Sequence, residues 1–182
     1  MRIYTRKGDD GTTGLLFGGR VRKDSPRPAA YGEVDEAQAV LGLARAECAR
    51  GSELDALLIR LERDLWVLMA ELATAPENVH KLEPGTSLVT AEMVAALEPV
   101  IDDLTARFEP PTEFVVPGQN RTAALLDVAR TVVRRAERSA VAVAADGSSA
   151  VPYLNRLSDL LWTMARWQDG GSLPARAPKN PE

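Results

Sequence analysis

Apolar residues recur along most of this chain at three- and four-residue intervals, the spacing of helices that bury one side. The longest such stretch runs from Gln119 to Ala145. At about 100° per residue it sets Leu125, Val128, Ala129, Val132, Val133, Ala136, Ala140 and Val143 on one broad face. Asp127, Arg130, Arg134, Glu137 and Arg138 gather on the other side, their centres roughly 140° away. Arg130, Arg134, Glu137 and Arg138 follow an i, i+4, i+7, i+8 spacing, so their side chains stand over one another. A carboxylate flanked by guanidiniums on an anchored helix suits a polyanion. The same stripe also describes a solvated surface, where such pairs contribute only about a few tenths of a kcal/mol. The helix alone does not choose.

Four more helices are predicted. Pro26 and Pro28 open one that runs from about Ala29 to Arg50, with Tyr31, Val34, Ala37, Gln38, Leu41, Ala44 and Cys48 on one side. Asp35 and Glu36 fall early in it, where acids ordinarily complement the helix dipole. Ser52 with Asp55 caps the next, in which Leu54, Leu57, Leu58, Leu61, Leu65, Leu68, Met69 and Leu72 keep the spacing until Ala75-Pro76. Residues 76–88 read as a loop holding the only histidine, His80, expected to be exposed because no cysteine or second histidine stands near it. A third helix from Thr90 to Phe108 should bend at Pro99. Phe114 to Gly118 then runs extended into the 119–145 stretch, either plugging one end of the core or lining a hydrophobic pocket. After Pro152, Tyr153, Leu157, Leu160, Leu161 and Met164 form the apolar face of the last helix, with Asn155, Asp159 and Arg166 on another. From Gln168 onward Gly, Pro and charge take over, and residues 169–182 are expected to be a disordered tail. The expectation is an all-α protein: one domain, residues 1–168, whose residues 26–168 form a five-helix up-and-down bundle.

Composition narrows the setting. A chain of 182 residues suits one core, burying about 70% of the unfolded surface. Abundant Ala and Leu with few aromatics favour helices. A net charge of −4 offers no global attraction for nucleic acid. The lone cysteine, Cys48, excludes an internal disulfide framework and fits a reducing cytosol; within a helical pattern a buried, inert thiol is expected. The N-terminus has no apolar signal core, and no stretch approaches the roughly 20 apolar residues of a membrane span. A cytoplasmic protein without membrane association is expected.

Residues 1–25 do not read as a helix. Five glycines lie between Gly8 and Gly19, among Thr5, Thr12, Thr13, Ser25 and the basic residues Arg6, Lys7, Arg20, Arg22 and Lys23. Asp10-Gly11 signals a tight turn, and glycine lets successive N–H groups point into one concavity. Such a loop could cradle phosphates. It is not a Walker A loop, since no Gly-Lys-Ser/Thr follows the required gap and no strand precedes it. A merely flexible arm is the plain alternative.

The pieces lock together as a set. TRKGDDGTTGL, GRVRKD, YGEVDEAQAVLGLARA, FVVPGQNRTAALLDVARTVVRRAER and YLNRLSDLLWTMAR, in that order across residues 3 to 167, resemble the PduO-type ATP:cob(I)alamin adenosyltransferase family. The resemblance implies a ferritin-like, cobalamin adenosyltransferase-like five-helix bundle with an N-terminal nucleotide-binding loop. It implies a homotrimer with active sites between neighbouring subunits. The implied reaction moves the 5′-deoxyadenosyl group of ATP to the cobalt of cob(I)alamin, giving adenosylcobalamin and triphosphate. Mg²⁺ would travel on the nucleotide, with no protein ligands assigned. By the resemblance, ATP contacts fall to Thr5, Arg6, Lys7, Gly8, Thr13, Gly14, Lys23, Arg134, Arg135, Ala136, Glu137, Arg138 and Asn155. Asp35 would pair with Arg130 across the subunit boundary, and Phe114 would lie at the lower face of the corrin. Catalysis would rest on Arg130, Arg134, Glu137 and Asp35. A cobalamin reductase and an adenosylcobalamin-dependent mutase or dehydratase are the implied partners.

Cob(I)alamin is itself a strong nucleophile, so the protein's task would be alignment and neutralisation of the departing charge. Two positions depart from the family pattern. Gln119-Asn120-Arg121 stands where glycines are frequent, and Asp127 where a histidine is frequent. An acid one turn before Arg130 either competes for that arginine or supports it. Two rivals come from other classes: a carrier that holds ATP or adenosylcobalamin without catalysis, and a ligand-free helical oligomer whose arginines serve subunit contacts.

Overall fold

Ser25 is where the chain first commits to a helix: its backbone is extended, and Pro26 behind it fills a first-turn position where no amide is needed. The computed structural model describes residues 3–176. Helix α1 spans Pro26–Ala46, and α2 spans Glu53–Leu72, where the Ser52 hydroxyl accepts the Asp55 N–H at 3.2 Å as the spacing predicts. Because α1 stops at Ala46, Cys48 lies past the helix rather than within it. Its half-buried thiol donates to the Ala44 carbonyl, and burial pushes it up, which keeps it protonated and inert.

The segment expected as a loop after α2 contains a 3₁₀ helix, Pro76–Lys81, with His80 exposed. The third rod is broken, not bent. Thr90 caps α3 (Ala91–Ala95), and α4 (Glu98–Thr105) restarts with Pro99 in its first turn, where proline cannot donate back to Ala95. Gly118, at φ +108°, turns the chain into α5 (Arg121–Val141), capped by Asn120, whose side-chain oxygen accepts the Ala123 N–H at 2.9 Å. Asn120, where the resemblance leads one to expect glycine, thus serves as the N-cap of α5. Helix α6 spans Ala150–Asp169 and stops at Gly170 in the left-handed conformation.

Helix α1 packs on α2 and α5, α5 packs on α6, and α4 lies along α6. Ala30, Val34, Ala37, Leu41 and Ala44 of α1, and Ala129, Val133, Ala136 and Ala140 of α5, are wholly buried; such small side chains let backbones approach closely. The α2 row Leu58, Leu61, Leu65, Leu68 and Leu72 is buried as its spacing predicts, each leucine contributing about 1.5–3 kcal/mol. The buried face of α5 is turned from the expected one. Leu126 is wholly buried, Val128 is about half exposed, and Asp127 sits inside at 6% exposure because Arg166 of α6 meets it there.

Helices α1 and α6 begin, and α2 and α5 finish, at one end of the bundle. Leu16 N–H bonds the Ala73 carbonyl there (2.9 Å), and the Arg27 guanidinium bonds the carbonyls of Leu72 (3.0 Å) and Val143 (3.1 Å). At the opposite end Asn120 Nδ2 bonds the Gln168 carbonyl at 2.6 Å, and Arg107 pairs with Glu53 at 2.8 Å. The tail departs from expectation too. Asp169 closes α6, and the next residues pair with the extended run ahead of α5, Val116 N–H to the Leu173 carbonyl (2.8 Å) and Ala175 N–H to the Phe114 carbonyl (2.7 Å). An unpaired extended edge is what a polar tail can still satisfy with its backbone. Residues 177–182 lie outside the described residues. Among the described residues no helix is long and apolar enough to cross a membrane.

Candidate active site

The basic arm is more ordered than a loop. Strands β1 (Thr12–Gly14) and β2 (Arg20–Arg22) pair antiparallel, with Thr13 opposite Val21 and Gly14 opposite Arg20. Ahead of them the Asp10 carboxylate accepts the Thr12 hydroxyl (2.7 Å) and N–H (2.9 Å); these bonds, the hydroxyl's first, hold Asp10 below the usual carboxylate range. Arg20 donates to Thr12 Oγ1 and to the Lys7 carbonyl, closing residues 7–12 into a ring. Lys23 reaches over that ring. Its N–H bonds the Gly11 carbonyl at 2.9 Å, and a Cβ on Gly8 would lie 3.0 Å from Lys23 Nζ and 3.1 Å from the Thr12 carbonyl. Glycine at position 8 is what lets the ammonium sit there. Thr5, Arg6, Lys7 and Lys23 are exposed, and the Thr5 hydroxyl accepts the Lys7 N–H at 3.4 Å.

At the same end of the bundle, helical phase sorts the Arg134–Arg138 run. Arg134 and Arg138 are exposed, the latter donating to the Arg134 carbonyl at 2.9 Å, and neither has an ion-pair partner among the described residues. Glu137 Oε1 accepts Asn155 Nδ2 of α6 at 2.9 Å, so two residues expected in one site are brought into contact. Arg135 turns the other way, to Glu36 of α1 with Glu33 at 3.9 Å; the hydrogen bond to Glu36 raises its pKa. Its charge is already matched. Ala136 is wholly buried, and its methyl belongs to the core rather than to a ligand surface.

Further along α5 lies a cavity of about 930 Å³ whose lining includes Phe114, Asp127, Arg130, Trp162 and Arg166. Phe114 is 90% exposed at its edge, an apolar ring with no cover among the described residues. Arg130 pairs with Asp127 of its own helix at 3.3 Å, whereas Asp35 stands exposed on α1 without an ion-pair partner among the described residues. Asp35 and Arg130 are thus not brought together within one chain. Nor does any hydrogen bond or ion pair among the described residues join the basic arm to Arg134 or Arg138. Trp162 and Arg166 escaped the sequence reasoning as site residues. No sequence signal marked Arg166: by spacing Asp127 falls opposite the apolar face of its helix, and the cation that meets it lies 39 residues on.

Among the described residues no group of three or more His, Cys, Asp or Glu is placed to hold a metal ion. The helical bundle thus carries exposed cations at one end and, further along α5, an exposed aromatic beside a cavity, the chemistry of an anion site and of a site for a large apolar-faced ligand. The chain belongs to the cobalamin adenosyltransferase family, whose profile matches residues 3–168. It is 43% identical over 171 residues to a corrinoid adenosyltransferase of Citrobacter freundii, covering 92% of this chain and 95% of that one. It is 40% identical over 188 residues to the corrinoid adenosyltransferase of Mycobacterium tuberculosis, covering 96% of each. Against the corrinoid adenosyltransferase PduO of Salmonella typhimurium it is 41% identical but spans only 50% of that longer protein. A solved variant of the PduO-type ATP:corrinoid adenosyltransferase from Lactobacillus reuteri, complexed with cobalamin and ATP, superposes with a TM-score of 0.85 at 28% identity, covering 97% of this chain and 100% of that one.

Proposed function

We propose that this protein transfers the 5′-deoxyadenosyl group of ATP to the cobalt of cob(I)alamin, and that Arg134 and Arg138 receive the triphosphate that leaves. The observation that carries this is the pair of exposed arginines beside the Glu137–Asn155 contact, on the same helix that lines the Phe114 cavity with Arg130. In the reaction the cobalt(I) electron pair attacks C5′, a Co–C bond forms, and the C5′–O bond breaks with its electrons departing on triphosphate. The nucleophile needs no activation, so the protein contributes alignment and charge. Arg134, Arg138, Lys7 and Lys23 neutralise the leaving oxygens, and the N–H groups of the arm assist, with Thr5, Arg6, Gly8, Thr13 and Gly14 wrapping the nucleotide. Mg²⁺ carried on the phosphates would share that charge. Glu137, held by Asn155, orients the nucleotide rather than moving a proton. Phe114 walls the lower face of the corrin, keeping water and an axial base off cobalt and so easing reduction.

Among the described residues the arm and the arginine pair are not joined within one chain, and Asp35 and Arg130 are not paired. Both facts support a homotrimer in which neighbouring copies complete each site and Asp35 of one copy meets Arg130 of the next. A cobalamin reductase would supply the electron, and a mutase or dehydratase in the cytoplasm would take the product. The test is a visible-spectrum assay with pre-reduced cobalamin, MgATP and protein. Alkyl-cobalt bands should appear with one triphosphate released per cobalt alkylated. Binding of both ligands without triphosphate would leave a carrier instead.

A further inference from the structure

Arg130 meets Asp127 through its Nε alone, 3.3 Å from Oδ1. Neither terminal nitrogen of Arg130 has a hydrogen-bond partner among the described residues. The far oxygen of Asp127, Oδ2, accepts a hydrogen bond from Arg166 Nη2 at 2.5 Å, and Arg166 Nε lies 2.8 Å from Asp169 Oδ2. The Trp162 ring flanks that guanidinium at 6.0 Å. Side-chain exposure falls along the chain of charges, from 29% at Arg130 to 7% at Asp127 and 1% at Arg166 and Asp169. Two cations and two anions balance, and the inner members cannot move apart without leaving a charge buried alone. The outer member is different. An arginine carries five donors in a rigid plane, and side-on capture at Nε leaves the terminal fork free.

We infer that Asp127 is a positioning residue: pinned by Arg166, it grips Arg130 by Nε and presents the free guanidinium fork at the mouth of the Phe114 cavity. Asp127 therefore supports, and does not compete with, a second acceptor on Arg130. That acceptor is an oxygen, either the Asp35 carboxylate of another copy or an amide or phosphate oxygen on the rim of the corrinoid. The inference rests on the reading of this cavity as the cobalamin site. It carries a sign that separates it from its opposite. Were Asp127 a competitor, removing its charge would free Arg130 and improve cobalamin binding; as a support, its loss lets the fork swing.

The experiment uses the full chain, wild type and Asp127→Asn, with pre-reduced cobalamin. Loss of a charge-assisted contact predicts a KM for cobalamin raised about tenfold, with the KM for ATP unchanged. In parallel, arginine side-chain NMR reads exchange of the Arg130 Nε proton with solvent. It should be slow in the wild type beside exposed Arg134, and fast in Asp127→Asn. A KM for cobalamin that stays put or falls overturns the inference, as does a wild-type Nε proton exchanging as fast as that of Arg134. The NMR reading needs no turnover, so a wild type that forms no alkyl-cobalt would defeat the functional reading while leaving this geometry decided on its own. If Asp127→Asn does not fold, Arg166→Lys, which keeps the charge but loses the planar group that reaches Asp127 and Asp169 together, should show the same KM split; no split overturns the inference. An Asp35→Asn/Asp127→Asn pair no worse than Asp35→Asn upholds the positioning role with Asp35 as the acceptor, and summed losses uphold it with the corrinoid.

Discussion

Glu71→Ala should destabilise the fold by about 3 kcal/mol, a large effect for one carboxylate that touches no proposed substrate. Glu71 is the penultimate residue of α2 and 8% exposed. Its Oε2 accepts the Val89 N–H at 2.8 Å, and its Oε1 accepts the Ser148 hydroxyl. One side chain thus ties the end of α2 to the entry of α3 and to the loop between α5 and α6. Alanine leaves the N–H of Val89, a residue only 3% exposed, without a partner, costing about 1–3 kcal/mol. The lost hydroxyl bond to a charged oxygen adds about 1–1.5 kcal/mol, some of it recovered by water from the adjoining cavity. Glutamine keeps an acceptor for Val89 and offers an N–H to Ser148, so Glu71→Gln should cost only about 1 kcal/mol. Urea unfolding at one fixed protein concentration, followed by far-UV circular dichroism, measures both variants. At this chain length the alanine variant should also lose roughly 10 °C of Tm. An alanine variant within about 0.5 kcal/mol of wild type, or a glutamine variant as weak as alanine, would refute the reasoning. The loop matters for the site as well. The Ser148 hydroxyl also accepts the Ala150 N–H at 3.0 Å where α6 begins, and Asn155 stands on that helix's second turn.

Arg134→Ala should lower turnover at least about 100-fold, since it removes a charge-assisted contact to the leaving group; near-normal turnover takes it out of the site. Asp35→Asn should weaken assembly or cobalamin use while leaving monomer folding alone, and sedimentation together with kinetics unchanged from wild type would dismiss its pairing with Arg130. Phe114→Ala should slow turnover that starts from cob(II)alamin and a reductant more than turnover from pre-reduced cobalamin; equal losses in both assays count against the axial-base argument. Asp55 predicts a pH effect. It accepts the Gly51 N–H (2.9 Å) and Arg45 Nε (2.8 Å), and the Gly51 bond first, then Arg45, hold it below its ordinary 3.8. The folded state favours the ionised form, so this stability is whole above about pH 3.8 and disappears as pH falls through the lowered folded value. Asp55→Asn should flatten the acid limb of a Tm-against-pH curve, and an unchanged slope would exclude Asp55 from it.

What could be read from the chain alone was what is local. The cap Ser52 with Asp55 depends on a three-residue separation, and it forms. The leucine row of α2 is buried because its period needs no distant partner to interpret it. Asp127 is the counterexample. Pattern reading places an acid outward, and only Arg166, 39 residues on, makes the interior acceptable to it. The hairpin was hidden because its three-residue strands are too short to show alternation among glycines. The tail's pairing was hidden because backbone hydrogen bonds carry no side-chain signal.

The same division explains the candidate site. Five consecutive residues from Arg134 to Arg138 are adjacent in sequence, yet the helix disperses them: Arg135 to Glu36, Ala136 to the core, Glu137 to Asn155, leaving two guanidiniums free among the described residues. Those two, with Lys7 and Lys23 of the arm, hold like charge at one end of the bundle with no carboxylate within ion-pair range of any of them among the described residues. Among the described residues these exposed cations have no carboxylate partner, although a chain with net charge −4 has carboxylates enough to have paired them. The phosphate chain of the proposed reaction would give them the partner that the fold does not. On that argument, ATP or triphosphate should raise the Tm of the wild type and not that of Arg134→Ala, and an equal shift in both would place the anion elsewhere.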